Sequence, residues 1–390
     1  MKKTSKKRLL VLTSATGAGH DSHASATAAW CRQLYGDTVD VTIEHLLEDS
    51  HPVYGGGVNF YNFIQRNMPW FHHIFYNVVE LLEVLNPGTV SLGKDYYVRL
   101  LERVRPHAIL SVMDCLNRGY FELAKTILGP EVLCATYCTE FCGGYGFSRN
   151  WVNPRGDFYL GRTEESTAAA MRYGMPPKRT LTVGHWAPPP FYAPPMSAGE
   201  KACYLMETLG LDPGRFTLLL STGGAGALNH KSIIRALYPL GGRLQVIALC
   251  GRNAQAKAAL DASIGQAPFP VKTIPFTDEM PKLLQASSAV VARAGATTAG
   301  EALLSSCPII FNAIGLIMPQ ELPTWRYFKA RGIGFAAYHA GQVRQIVEGW
   351  IDRPEEYENV REKMRGVRCT TTPQLALDRL LVETPSGVSR

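Results

Sequence analysis

Arg8-Leu9-Leu10-Val11-Leu12-Thr13, running at once into Ser14-Ala15-Thr16-Gly17-Ala18-Gly19-His20, is the stretch on which the fold turns. A short continuous apolar run broken by glycines reads as a buried strand ending in a tight turn. The alanine-rich stretch Ser22–Leu34 predicts a helix, and Val39–Ile43 predicts the next strand. A strand-loop-helix-strand opening built on an apolar run of this kind belongs to a parallel α/β sheet. The pattern continues outward, with apolar runs at Ala108–Val112, Val132–Tyr137 and Phe158–Leu160. The proline-rich stretch Gly184–Pro195 reads as an interdomain linker. Beyond it the alternation restarts. Strands are expected at Phe216–Ser221, Leu244–Leu249, Val271–Ile274, Ala289–Ala292 and Pro308–Phe311. Helices are expected near Lys231–Tyr238, Ala254–Ile264, Glu279–Gln285, Thr298–Leu304 and Val343–Asp352. Two α/β domains facing a central cleft is the expected architecture. Their expected bounds are 1–190 and 196–353, with a helical tail, 354–390, packing back on the first domain.

Composition fits this picture. The chain has 390 residues, 46% hydrophobic and 19% charged, enough for two cores of ordinary size. Mean hydropathy is −0.05, and no apolar run reaches the roughly 18 residues of a membrane span. The net charge is +7, but Lys2, Lys3, Lys6, Lys7 and Arg8 supply much of it, leaving the rest close to balance. That distribution argues against nucleic acid as a partner and suits attraction to an anionic membrane surface. Leu9–Leu12 stops too soon to be the core of a signal peptide. Nine cysteines without metal-like or C-x-x-C spacing fit a reduced, cytoplasmic setting.

One segment interrupts the rhythm. Residues 53–85 hold Tyr54, Phe60, Tyr61, Phe63, Trp70, Phe71, Phe75 and Tyr76. Phe71, Phe75, Val78, Val79 and Leu82 fall on helical spacing, the mark of an amphipathic helix laid on a core. The same aromatic content suits an element at a membrane interface.

Glycine turns between strand and helix let backbone N–H groups and a helix N-terminus approach an anion. Two such turns, Thr16–His20 and Thr222–Gly226, occupy matching places in the two halves, and one of them can serve a diphosphate, the other an acceptor. His20 follows the first directly, where an imidazole can take a proton from a hydroxyl; a packing histidine is the ordinary alternative. A third turn, Arg293-Ala294-Gly295-Ala296-Thr297-Thr298, leads to Glu301, a carboxylate suited to a ribose diol or, equally, to a helix cap. Gln320 and Glu321 lie on the loop after the Pro308–Phe311 strand and suit sugar hydroxyls. No Asp-x-Asp occurs, so no metal or other cofactor is expected.

Taken in order, these motifs resemble the inverting GT-B glycosyltransferases. The likeness is nearest to monogalactosyldiacylglycerol synthases and bacterial processive diacylglycerol glucosyltransferases. The peptidoglycan lipid-intermediate N-acetylglucosaminyltransferases are more distant. The resemblance runs from about Leu9 to Gly334 and includes Thr139-Glu140 and Ile274–Met280. It implies two Rossmann-like domains and transfer of a hexose from a UDP-sugar to a lipid hydroxyl at the cytoplasmic membrane face. A soluble transferase for a small-molecule acceptor and a non-catalytic nucleotide-sugar binder are the alternatives.

The resemblance also implies roles. His20 is the expected base, on a loop shaped by Gly17 and Gly19, with Asp114 or Glu140 as its partner. Thr222, Gly223 and Gly224 are expected along the diphosphate, and Phe276 and Thr277 beside uracil. Gly295, Thr297 and Thr298, helped by Arg293, are expected at phosphate. Glu301 is expected on ribose, with Gln320 and Glu321 on the hexose. The aromatic segment 53–85 corresponds to the acceptor and membrane-facing region. Met318-Pro319 stands where the family reads Pro-Gly, and proline stiffens that loop.

Overall fold

The computed structural model describes residues 6–85, 90, 92–221, 229–369 and 371–382. They form two compact units, the first Met1–Pro189 with Thr370–Arg390, the second Pro190–Cys369.

In the first unit the chain runs β1 (Lys7–Thr13), α1 (Gly19–Tyr35), β2 (Val39–His45), α2 (Leu46–Ser50), α3 (Pro52–Asn67), α4 (His72–Leu85) and α5 (Lys94–Val104). It continues through β3 (Ala108–Ser111), α6 (Tyr120–Leu128), β4 (Leu133–Cys138), β5 (Phe158–Gly161), α7 (Glu164–Arg172) and β6 (Thr180–Thr182). The six strands pair in the order β2-β1-β3-β4-β5-β6, all parallel. Leu9–Leu12 and Ala108–Leu110 are wholly buried, as strands covered on both faces require. The strand order reverses between β1 and β3. The loops leaving those two strands therefore stand side by side at a switch point, where α/β sheets bind ligands.

The second unit runs α8 (Ala198–Cys203), β7 (Phe216–Leu220), α9 (His230–Ala236), β8 (Leu244–Leu249), α10 (Ala254–Ile264), β9 (Val271–Ile274) and α11 (Met280–Ala286). Then come β10 (Ala289–Ala292), α12 (Ala296–Leu304), β11 (Ile309–Asn312), α13 (Leu322–Ala330), β12 (Gly334–Ala337), α14 (Ala340–Asp352) and α15 (Pro354–Val367). Its parallel order is β12-β11-β10-β7-β8-β9, with the switch point between β7 and β10. Two parallel sheets with flanking helices match the apolar runs, and their Rossmann-like form matches what the resemblance implies.

The differences are local and have physical causes. α1 begins at Gly19, three residues before the expected Ser22, so His20 lies in its first turn. β12 was not expected, because Gly-Phe-Ala-Ala has little β propensity, and β6, ahead of Val183-Gly184, is only three residues long. The first part of Gly184–Pro195 is not a free linker, because Trp186 and Ala187 are 1% exposed and Trp30 Nε1 donates to Ala187 O at 2.8 Å. The tail 354–390 divides: α15 packs on α14 and α12 in the second unit, while α16 (Gln374–Leu381) packs on α1.

Residues 53–85 form two helices joined by a 3₁₀ turn at Pro69–Phe71, where proline cannot continue the α3 hydrogen bonds. The stripe expected to lie on the core does not, since Val78 is 50% and Val79 37% exposed. Val58 and Ile64 from α3 and His72 from α4 are buried instead. On the outside, Val53, Phe60, Phe63, Trp70, Ile74 and Leu81 are each at least 50% exposed.

Candidate functional site

At the switch point of the first unit, Gly17 takes φ +74°, a left-handed conformation that favours glycine. Gly19, expected to shape the loop, is already helical. The loop is held by side chains from the next helices. Ser14 Oγ and Ala15 N–H both donate to Glu48 Oε1, at 2.9 and 2.6 Å. Gly17 N–H donates to Asn62 Oδ1 at 3.0 Å, and Asn62 Nδ2 donates to Ala15 O at 2.9 Å. An anion entering this loop would meet the Glu48 carboxylate, so the phosphate-cradle reading does not suit it.

His20 is half-buried, and its Nδ1 lies 2.7 Å from Val112 O, at the end of β3. A carbonyl can only accept, so Nδ1 carries the proton, and a neutral ring then keeps its lone pair on Nε2. The expected partner was Asp114 or Glu140; the structure supplies a peptide carbonyl instead. Trp151 stands against the ring, 6.1 Å between centroids. Asp114 opens the turn after β3 and accepts from Cys115 N–H at 2.9 Å. Glu140 follows β4 and is buried. Both act on Tyr76 of α4, whose phenol is pushed up by burial first and then by Glu80, Asp114 and Glu140. Burial also raises the Glu80 carboxyl, against a hydrogen bond from Ser148.

One turn along α1, His23 is wholly enclosed. Its Nδ1 donates to Trp186 O at 2.7 Å, and its Nε2 accepts from Arg162 Nη2 at 3.2 Å. Burial, then the Arg162 guanidinium, holds His23 well below the usual imidazole range. His185 is lowered by the same causes in the same order. Arg162 also covers the Phe141 ring at 4.6 Å. None of these was singled out from sequence, although a charge directly after an apolar strand, as Arg162 follows β5, is a usable signal. Asn62 was hidden among aromatic residues.

In the second unit, Thr222, Gly223 and Gly224 lie outside the described residues. Across the switch point, Gly295 is the N-cap of α12 with no side-chain cap, and Gly295, Thr297 and Thr298 are half-buried at the helix start. The dipole of a helix favours an anion near its start. Glu301, further along α12, is 8% exposed. Arg293 does not stand ready for phosphate. Its Nε and Nη2 donate to both carboxylate oxygens of Glu321, at 2.8 and 2.9 Å. Glu321 Oε2 also accepts from Met318 N–H at 3.1 Å. Glu321, expected on the hexose, is thus built into the Met318–Glu321 turn, while Gln320 Nε2 lies 3.6 Å from Met318 Sδ. Phe276 is half-exposed at the end of β9, with the Arg252 guanidinium 3.6 Å over its ring. Thr277 Oγ1 accepts from Glu279 N–H at 3.1 Å ahead of α11.

Comparison with known proteins bears on the fold and on the second unit's family likeness. The glycosyltransferase family 28 C-terminal domain matches residues 219–312, from β7 to β11. Monogalactosyldiacylglycerol synthase 1 of Arabidopsis thaliana is 24% identical over 88% of this chain, which spans 65% of that protein. The processive diacylglycerol beta-glucosyltransferase of Staphylococcus saprophyticus is 23% identical, with 97% of this chain and 93% of the other covered. Among solved structures, MurG of Acinetobacter baumannii superposes with a TM-score of 0.63 at 15% identity, over 96% of this chain and 99% of its own. Anabaena HepE in complex with UDP gives 0.56 at 13% identity, over 96% and 97%. The likeness in fold is to GT-B proteins.

Proposed function

We propose that this chain, a glycosyltransferase of the GT-B fold with a family 28 C-terminal domain, is an inverting enzyme. It moves a hexose from a UDP-sugar to a hydroxyl of a lipid acceptor such as diacylglycerol. The observation that carries the reading is the His20 tautomer, with Nδ1 held by Val112 O and Nε2 left as a base. Nε2 takes the acceptor hydroxyl proton as that oxygen bonds to the anomeric carbon. The bond to UDP breaks on the opposite face, and UDP leaves with the electron pair. The diphosphate is received near the N-terminus of α12, where the helix dipole favours the charge that develops. Glu301 takes the ribose hydroxyls. Gln320 takes the hexose on a turn held in shape by Arg293 and Glu321.

The lipid acceptor is supported by the names of the two relatives and by the exposed apolar side chains of this segment, aromatic on α3 and at Trp70 and aliphatic on α4. The enzyme is read as peripheral on the cytoplasmic face of the membrane, and among the described residues no helix is long and apolar enough to cross one. The basic residues Lys2–Arg8 add attraction to anionic lipid.

The test is UDP release from a panel of UDP-sugars, with and without vesicles containing diacylglycerol. Wild type should turn over one of them in a lipid-dependent way, and His20→Ala should lose about 10²- to 10⁴-fold in kcat. Release that ignores lipid would overturn the lipid acceptor, and a fully active His20→Ala would remove the base.

A further inference from the structure

Asn62 bonds both polarities of the β1–α1 loop, with its carbonyl on Gly17 N–H and its amide on Ala15 O. It shares one face of α3 with Val58, 5% exposed, and Gln65, whose side chain lies 3.8 Å from where a Cβ on Gly17 would stand. Positions 58, 62 and 65 recur at helical spacing, so this face is turned to the loop. Phe60 and Phe63, 50% and 53% exposed, lie off it. α3 therefore has the loop of His20 on one side and half-exposed aromatic rings on the other, about 10 Å apart.

We propose that Asn62 is a positioning residue through which lipid seated on the outer face of α3 sets the Ala15–Gly17 loop and so aims His20. This rests on the lipid-acceptor reading above. The His20 ring is anchored at Nδ1 by Val112 O on β3, which α3 does not carry. Its backbone follows a loop that α3 does carry. The direction of Nε2 depends on both, so a shift of α3 reaches the base through the two Asn62 bonds. Glu48, from α2 packed on α3, holds the loop's other end at Ser14 and Ala15. A misplacement of about 1 Å at a reacting group lowers turnover by about 100-fold.

The full chain is tested with phosphatidylcholine vesicles containing phosphatidylglycerol and diacylglycerol. Asn62→Ala removes both bonds. Asn62→Asp keeps an oxygen for Gly17 N–H but sets a second oxygen against Ala15 O. Both variants should sediment with vesicles like wild type and keep its KM for the UDP-sugar, while kcat falls about 10- to 100-fold. In wild type, vesicles should slow amide exchange over Ala15–His20, and both variants should lose that response. Wild-type kcat in Asn62→Ala, or an intact exchange response beside a lowered kcat, overturns the proposal alone. A wild type that neither sediments nor needs lipid overturns the lipid reading and the proposal with it. If Asn62→Ala unfolds, the paired Phe60→Ser and Phe63→Ser chain reads the same route from outside. It should lose sedimentation and exchange response together, and an exchange response kept without sedimentation overturns the proposal.

Discussion

The turn after β1 and the turn after β10 hold the same topological place in their sheets, beside a switch point, and are dressed in opposite ways. In the first, the Ala15 and Gly17 amides are taken by Glu48 and Asn62, and the helix that follows brings an imidazole in its first turn. In the second, the N-cap is Gly295, which brings no side chain to the helix start, and the adjacent arginine is turned aside to Glu321. A turn filled by the protein's own carboxylate suits a neutral hydroxyl; a glycine-capped helix start suits an anion. On the function proposed above, the same backbone device serves base placement in one unit and charge reception in the other, according to which side chains reach it.

The sharpest break of this contrast is at Arg293. Its pair with Glu321 is largely buried, at 23% and 7% side-chain exposure, and Glu321 also holds Met318 N–H. Arg293→Ala leaves a buried carboxylate without its fork of donors, which should cost about 3 kcal/mol in stability. Arg293→Lys keeps the charge but not the bidentate geometry and should fall between. Urea denaturation of both against wild type checks the order. An Arg293→Ala chain as stable as wild type would show that the guanidinium is held for something other than Glu321.

The first unit carries its own arginine contact, and here pH is the probe. Arg162 meets a neutral imidazole, His23, beside a second lowered imidazole, His185. Both pKa values lie below those of the unfolded chain, so the stabilisation is present above about pH 6.5 and is lost as pH falls, when unfolding takes up protons. Each group then contributes a slope approaching about 1.4 kcal/mol per pH unit. Denaturation at pH 7.5, 6.5 and 5.5 should show stability falling toward acid, and His23→Gln should flatten the fall. An unchanged slope in His23→Gln would remove His23 as its source.

Much of this contrast could be read before any coordinates, and the parts that could not share a cause. The strands from β1 to β5 and from β7 to β11 announce themselves by their apolar residues, whereas β6 and β12 are too short or too poor in β-formers. His20 is legible from its place after the glycines, but its partner is not, because every residue owns a carbonyl and only the β1–β3 pairing selects Val112. Arg293 and Glu321 were each singled out as ligands of a substrate. Their mutual bond, across 28 residues, depends on the β10–β11 neighbourhood that sequence spacing does not encode. Asn62 was invisible for a simpler reason: a helix rich in aromatic residues draws attention to the face that does not touch the loop.

The smallest expected effect is also the most direct comparison of the two turns. Gly17 sits at φ +74°, and a Cβ there would meet only Gln65 at 3.8 Å, so Gly17→Ala is opposed by backbone conformation rather than by crowding. It should lose about 1 kcal/mol. Gly295 sits at φ −66° and ψ 135°, with nothing within 4 Å of an added Cβ. Gly295→Ala should therefore leave stability within about 0.5 kcal/mol of wild type. Its methyl would stand at the helix start, so on the proposed function any effect belongs to the ligand and should appear as a raised KM for the UDP-sugar. Melting and donor titration of the two alanine variants separate the cases. Gly17→Ala moves stability, Gly295→Ala moves donor affinity, and the reverse result would mean that the roles of the two turns have been exchanged.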